Sequence, residues 1–309
     1  SIPAAERTGF LTSAKGRISS QPGALLRGSF GGSAAFLRLP DIQGQAAALI
    51  RILTEDGAVM LAYLMPEFAG SKARFIDVYQ LSTGCFASES MRDMIIPLLS
   101  SAGGDAPQMQ LIKSVQKVTT ARQSGDHTAV IKACESLPVE MRKRPSMRIV
   151  YPESLMSSGD NAAYERELTR IQREEPDSVA TSFKLLDLYM LKKKWKEAAT
   201  AGLRVDEAAG GDAYLKAMSG MCLSWAEDFE EAEKVFDAAE ALDPSLAEVM
   251  SFRLHLDCAR GDYAALVKNM DKLKEKYSRQ ATPEGLVENF PRFQEFIDSP
   301  EYKAWKEKQ

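Results

Sequence analysis

The sequence predicts two parts: a small α+β domain over residues 1–103, and an all-α superhelix of about five helix pairs with C-terminal capping helices over residues 104–309. Apolar residues alternate with a period of two between residues 35 and 82, which is typical of strands. Beyond residue 108 one helical pattern recurs every 34 residues. Residues 100–107, rich in Ser, Ala and Gly, separate the two patterns and indicate a linker.

The first domain is predicted to be an antiparallel sheet flanked by helices. Residues 3–18 are expected to form a short helix, because Pro22-Gly23 then breaks the pattern. Strands are expected at residues 35–39, 47–54, 58–65 and 73–82, with a hairpin turn at Asp56-Gly57 and a loop at 66–72. Ser88 has the residue type of an N-cap for a helix over residues 88–100.

The third predicted strand is apolar on both faces. Val59, Leu61 and Tyr63 alternate along it with Met60, Ala62 and Leu64. Because a sheet face exposed to water is normally polar, both faces must be covered, or one of them lines a cavity. The order of elements resembles the cystatin-like cone of the nuclear-transport-factor-like and SnoaL-like proteins. That resemblance implies a helix held by a curved sheet.

Two opposite charges on this sheet mark a candidate ligand pocket. A two-residue turn at 56–57 would place Arg51 opposite Ala62, and a loop centred near residue 69 would place Asp77 opposite Leu61 or Ala62. The two charges would then flank one strand about 10 Å apart, at two strand spacings. The candidate pocket residues are Arg51, Tyr63, Asp77 and Tyr79. The alternatives are a small pocket with a cation, an anion and phenols, or a solvated face with a structural ion pair.

The 34-residue recurrence covers five successive units. Its marker residues are His127, Asn161, Trp195, Phe229 and Tyr263, three of which follow a Gly-Asp pair. This spacing, with a turn before an apolar-periodic helix, resembles the tetratricopeptide repeat over about residues 108–278. The resemblance implies helix pairs at about 111–138, 145–174, 179–207, 213–241 and 247–277.

One unit, residues 213–244, resembles the tetratricopeptide motif most closely. Its matching residues are Gly220, Ala232, Phe236, Ala239 and Pro244. Small residues let two helices cross closely, and Phe236 fills the space toward the neighbouring helix pair. The other units depart from the motif, and at the Phe236 position they carry Cys134, Leu168, Gly202 and Met270. Phe290, Phe293, Phe296 and Trp305 lie among charged residues, as expected of a terminal cap.

In tetratricopeptide families the first helix of each pair lines a concave groove. Carried over position by position, the resemblance implies a partner-binding groove that includes Phe183, Asp187, Met190, Tyr214, Met221 and His255. Some relatives clamp a C-terminal carboxylate with Lys, Asn and Arg at such positions, and this set is missing here. The groove is expected to be apolar and adaptable, suited to a peptide or a helix. The alternative is that Phe and Met at helical spacing belong to the core.

Catalytic and metal-binding signatures are absent from the sequence. It contains no GxGxxG, GxxxxGK, HExxH or GxSxG pattern. The four cysteines form no CxxC pair, and only two histidines are present, so no metal and no cofactor are expected. The expected function is non-enzymatic binding of a protein or peptide partner. The alternative is a small-molecule-binding or hydrolase-like cone at the N-terminus, with the repeats as its scaffold.

Charge and hydropathy limit the partners further. The formal net charge of −4 argues against nucleic acid, which requires concentrated Lys and Arg. No apolar stretch approaches the roughly 20 residues of a membrane span, so a soluble protein is expected. Packing of the repeats on a second copy of the chain stays open. The chain begins at Ser1 rather than Met, so the compartment is open between the cytoplasm and export with removal of a leader.

Overall fold

The structure is a computed structural model, and it describes residues 33–42, 45–53, 59–69, 72–90, 92 and 106–308. The chain divides into two compact units, residues 1–181 and residues 182–309. The helix expected over residues 3–18, the Asp56-Gly57 turn and most of the expected linker lie outside the described residues. The expected α+β part followed by a helical-repeat part is confirmed.

The first unit begins with an antiparallel sheet. Its strands are β1 (Ser33–Arg38), β2 (Asp41–Ile42), β3 (Gln45–Ala46), β4 (Ala48–Leu53), β5 (Val59–Ala69), β6 (Lys72–Gln80) and β7 (Cys85–Phe86). The main sheet has the order β1-β4-β5-β6-β7, and β2 pairs with β3 as a separate two-stranded ribbon. Residues 87–90 then form a helical turn at the predicted helix start.

The loop expected at residues 66–72 is wrong, because β5 continues through Pro66 to Ala69. The register shifts between Met65 and Pro66, and such an irregularity accommodates a residue that has no N–H for the ladder. Ala69 pairs with Lys72, so only two residues connect β5 to β6.

The expected register of the two charged residues is also wrong. Asp77 pairs with Met65, and Arg51 pairs with Leu61 rather than Ala62. Five residues, not two, connect the last pair of β4 and β5, Leu53 and Val59. A change in turn length shifts every cross-strand pair that follows it.

Both faces of β5 are buried, as the sequence predicts. Residues 61–65 all have less than one-tenth of their surface exposed, although they alternate between the two faces. On one face Ala62 and Leu64 pack with Val78 of β6, and partly buried Ile50 joins them. The middle of β5 is therefore the buried centre of the sheet.

The helical part follows the predicted pairs. In the first unit the helices are α1 (Ala106–Gln123), α2 (His127–Glu135), α3 (Val139–Arg142), α4 (Pro145–Ser157) and α5 (Asn161–Glu174). Helix α6 (Val179–Leu191) crosses the boundary between the units. The second unit continues with α7 (Trp195–Ala209), α8 (Ala213–Trp225), α9 (Phe229–Leu242), α10 (Ala247–Arg260), α11 (Tyr263–Tyr277), a 3-10 turn (Pro283–Leu286), α12 (Arg292–Asp298) and α13 (Pro300–Lys306).

The 34-residue interval marks the same structural position in every pair. Each of the five marker residues is the first residue of the second helix: His127, Asn161, Trp195, Phe229 and Tyr263. Two residues earlier the backbone always has a positive φ, at Gly125, Gly159, Lys193, Glu227 and Gly261. Three of the intervening N-cap residues accept a hydrogen bond on their side chain: Asp126, Asp160 and Asp262. The Gly-Asp pair therefore ends one helix in the left-handed region and caps the next.

Close helix crossing explains why small residues recur in the second unit. A Cβ atom on Gly220 of α8 would lie 3.1 Å from the ring of Phe236 on α9. A Cβ atom on Gly202 of α7 would overlap the hydroxyl of Ser219 on α8. Gly202 occupies the motif's aromatic position, and Ser219 takes the space that an aromatic ring would need.

A glycine at the left-handed position of residue 193 should stabilise the protein. Lys193 has a φ of 55°, which costs a side-chain-bearing residue free energy that glycine does not lose. We expect Lys193→Gly to raise the free energy of unfolding by about 1 kcal/mol in urea denaturation. Lys192→Gly is the matched control, since residue 192 does not have a positive φ, and it should lower stability. Equal effects of the two substitutions would contradict this interpretation of the turn.

Candidate functional site

The first-helix face is the side of α6, α8 and α10 that carries the six predicted groove residues. Four of these side chains are buried: Phe183, Tyr214, Met221 and His255. Met190 is half-buried and Asp187 is exposed. The accessible part of the predicted groove is therefore on α6.

Asp187 is exposed to solvent, and the pKa of its carboxyl is nevertheless raised. Burial raises the pKa of its carboxyl to about 6, and the positive charge of Lys184 only partly opposes this. The side chain is nevertheless exposed at the surface of α6. Water therefore reaches the side chain, while the surrounding protein limits the hydration of its charged form.

Helix α8 lies at the centre of the second unit and has almost no free surface. Of its 13 residues, 11 are buried. Its buried hydroxyls are satisfied within the helix, because Ser219 donates to the Leu215 carbonyl at 2.8 Å and Ser224 donates to the Gly220 carbonyl at 2.7 Å. The Tyr214 ring packs edge-on against Phe252 of α10, with 5.4 Å between the ring centroids.

The C-terminal segment reaches the first-helix face through an aromatic cluster. The C-terminal aromatic cluster comprises Trp195, Trp225, His255, Phe290 and Phe293. The Phe290 ring stacks on Trp225 at a centroid distance of 4.8 Å and on Trp195 at 5.6 Å. Its edge-to-face contact with His255 has a centroid distance of 4.7 Å. One phenylalanine therefore joins three helix pairs.

His255 is neutral in this cluster. The Trp225 indole N–H donates a hydrogen bond to Nδ1 of His255 at 3.0 Å, which requires an unprotonated Nδ1. Burial lowers the pKa of His255 to about 3, because the charged imidazolium would lose its hydration. This buried histidine is thus an uncharged hydrogen-bond acceptor.

Polar contacts fix the C-terminal helices against the last two helix pairs. Arg292 donates to the Glu227 carboxylate at 2.8 Å and also to the carbonyl of Ala259. The Trp305 indole N–H donates to the Asp271 carboxylate at 2.7 Å. The aromatic residues Phe293, Phe296 and Trp305 are buried together with side chains of α10 and α11. The C-terminal helices therefore cap the repeats, as the sequence predicts.

The sheet residues of the candidate pocket are placed differently from expectation. Tyr63 and Tyr79 are cross-strand partners with 5.9 Å between their ring centroids, and burial raises the pKa of both phenols. Asp77 accepts hydrogen bonds from the backbone N–H groups of Val78 at 2.8 Å and Ser88 at 3.1 Å. Its carboxylate therefore caps the helical turn that starts at residue 87. Arg51 is buried, and Asp77 pairs four residues further along β5 than Arg51 does.

In the described part of the chain, no group of three or more His, Cys, Asp or Glu side chains is placed to hold a metal ion. The four cysteines are buried free thiols. Over the same residues, no helix has the length and apolar character needed to cross a membrane.

The helical part is similar to solved tetratricopeptide structures, although no family model and no curated protein match the sequence. A tetratricopeptide repeat protein from Parabacteroides merdae covers 63% of this chain and 77% of its own, with a TM-score of 0.51 and 12% identity. The helical part therefore has a tetratricopeptide-like helical-repeat fold. The sheet's resemblance to cystatin-like cones stays a prediction.

Structures of MamA are also similar. MamA of strain MSR-1 has a TM-score of 0.46 at 17% identity, covering 56% of this chain and 99% of that one. MamA from Desulfovibrio magneticus RS-1 has a TM-score of 0.45 at 16% identity, covering 55% and 96%.

The buried His255 should make the free energy of unfolding depend on pH. Its pKa is lowered in the folded state, so the unfolded state binds the proton more tightly and stability falls as pH decreases below about 6.5. Between pH 7.5 and 4.5 the wild type should lose about 2–3 kcal/mol more than His255→Gln, measured by urea denaturation. Gln retains an acceptor for Trp225.

The matched control is His127→Gln, because His127 is the other histidine and is exposed on α2. This variant should keep the pH dependence of the wild type. If His255→Gln also kept the pH dependence of the wild type, the conclusion that His255 is buried in its neutral form would be refuted.

Proposed function

We propose that this tetratricopeptide-like chain is a non-enzymatic scaffold that binds a peptide segment of a protein partner on the first-helix face. The fold supports this proposal, because stacked helix pairs present an extended surface without requiring a catalytic centre. The sequence adds no catalytic signature. Phe183, Tyr214, Met221 and His255 would shape this face by packing beneath it, and Asp187 and Met190 would contact the partner.

The observation that carries the proposal is the composition of the accessible surface on α6. Asp187, Met190 and Leu191 are three and four residues apart, so their side chains are neighbours on one side of the helix. Leu191 is 64% exposed, so an apolar side chain lies open to solvent one helical turn from the Asp187 carboxylate. The complementary ligand has a cation beside an apolar side chain.

Electrostatics favour a Lys or Arg in the partner. A poorly hydrated carboxylate gains more from a charge-assisted hydrogen bond than a fully solvated one does. Because the pKa of Asp187 is raised to about 6, its carboxyl is mainly ionised at pH 7.5 and mainly protonated at pH 5. Binding of a cationic peptide would therefore weaken as pH falls through 6.

A random short-peptide library selected on the immobilised full chain tests this proposal. We expect the enriched peptides to share a Lys or Arg beside an apolar residue. Their affinity, measured by fluorescence anisotropy, should fall about tenfold in Asp187→Asn, and wild-type affinity should fall similarly between pH 7.5 and pH 5.

Glu207→Gln is the matched control for loss of one carboxylate, because Glu207 is exposed on the second helix α7. It should bind the enriched peptides as the wild type does. Peptides that bind Asp187→Asn with unchanged affinity, or selection without a basic consensus, would reject this binding surface.

A further inference from the structure

A cavity of about 310 Å³ lies among the helices of the first unit, where the repeat pattern is broken. We name it the Arg142 pocket. It is lined by Cys134, Val139, Arg142, Lys143, Met147, Arg148, Tyr151, Glu167 and Arg170, which belong to α2 through α5 and the turn after α3. A volume near 300 Å³ is at the lower end of the range for small-molecule sites.

Two departures from the repeat create the space. Helix α2 has nine residues, whereas the equivalent second helices α5, α7, α9 and α11 have 14 or 15. Cys134 of α2 lies at the position that Phe236 occupies three periods later, so a thiol replaces an aromatic ring. The missing turns and the missing ring remove the groups that close this region in the motif.

Most charges around the pocket are neutralised by neighbouring side chains. Arg170 makes a two-pronged contact with Glu167, at 2.7 and 3.0 Å, and a further contact with Glu174 at 2.6 Å. Arg148 forms an ion pair with Glu175. These arginines therefore have local counter-ions and do not require a ligand.

Arg142 differs from these arginines. Its Nε atom is buried and has no hydrogen-bond partner among the described residues. A buried donor without an acceptor costs free energy, which favours a movement of the guanidinium toward an acceptor bound in the pocket. The adjacent Lys143 is exposed and is hydrated by solvent.

Apolar side chains form one part of the pocket wall, beside its five charged residues. Cys134 and Met147 are buried in its wall, and Val139 contributes a further apolar side chain. Burial, reinforced by the charge of Glu135, raises the pKa of the Cys134 thiol to about 11 and that of the Tyr151 phenol to about 12. Arg142 acts against both shifts, which places its positive charge close to the thiol and the phenol.

We propose that the Arg142 pocket binds a small organic monoanion, a carboxylate with an apolar body. The carboxylate accepts hydrogen bonds from the Arg142 guanidinium, and the apolar body packs on Cys134, Val139 and Met147. One guanidinium with an unsatisfied Nε–H matches a single carboxylate. A phosphate dianion would bring a second charge and no apolar body. All the residues of this site belong to the first unit, so its test is independent of the first-helix face.

Calorimetric titration of the full chain with benzoate, hexanoate and inorganic phosphate tests the proposal. We expect the two carboxylates to bind with millimolar or tighter dissociation constants, and phosphate to bind at least about tenfold more weakly. Arg142→Met keeps the length of the side chain but removes its donors, and it should weaken benzoate binding at least about tenfold. Cys134→Phe restores the aromatic ring of the motif and should abolish binding by filling the cavity.

Arg173→Met is the matched control, because Arg173 is an exposed arginine of α5 outside the pocket. It should bind benzoate as the wild type does, and circular dichroism should show that each variant is folded. Cys134→Phe provides an independent test should Arg142→Met not fold. Three outcomes would overturn the proposal: no carboxylate binding to the wild type, unchanged binding in a folded pocket variant, or phosphate binding as tight as benzoate.

Discussion

The close crossing of α8 and α9 is the contact on which the second unit depends. Phe236 is fully buried, and it lies so near the α8 backbone that a Cβ atom at position 220 would be 3.1 Å from its ring. The next helix pair completes the enclosure, since the Arg253 guanidinium of α10 lies 5.9 Å from the centre of the same ring. Arg253 also forms an ion pair with Asp237 of α9 at 2.9 Å. Each helix pair therefore buries its apolar side against a neighbour, as repeat architectures require.

The sequence predicts the helical repeats well because their constraint is local and periodic. A left-handed turn, an N-cap and an apolar helix recur within a few residues, and the turn persists where Lys193 and Glu227 replace glycine. The sheet was less predictable, since its register depends on one turn and one irregularity at Pro66. A one-residue error in a turn changes every pair beyond it. Contacts between distant segments, such as Phe290 with Trp195, leave no periodic signal at all.

The sequence predicts only part of the proposed binding surface, because contacts with distant segments leave no periodic signal. Helical spacing assigns a residue to a face, but it does not reveal whether a neighbouring segment covers that face. Asp187 remains accessible, whereas His255 is enclosed by the C-terminal aromatic cluster. The Arg142 pocket could not be predicted either. The short helix α2 and the cysteine at an aromatic position become visible in the sequence only when the repeat units are compared with one another. Where the neighbouring units follow the repeat, a unit that departs from it therefore indicates a local change in packing.

Hydrogen exchange combined with urea denaturation of Phe236→Ala tests the interdependence of the helix pairs most directly. Removal of this buried ring should lower the free energy of unfolding by about 3–5 kcal/mol, because the cavity lies between α8, α9 and α10. Amide protection should fall in all three helices together. A loss below about 1 kcal/mol, or a loss of protection confined to α9, would contradict an array whose helix pairs are stabilised by their neighbours.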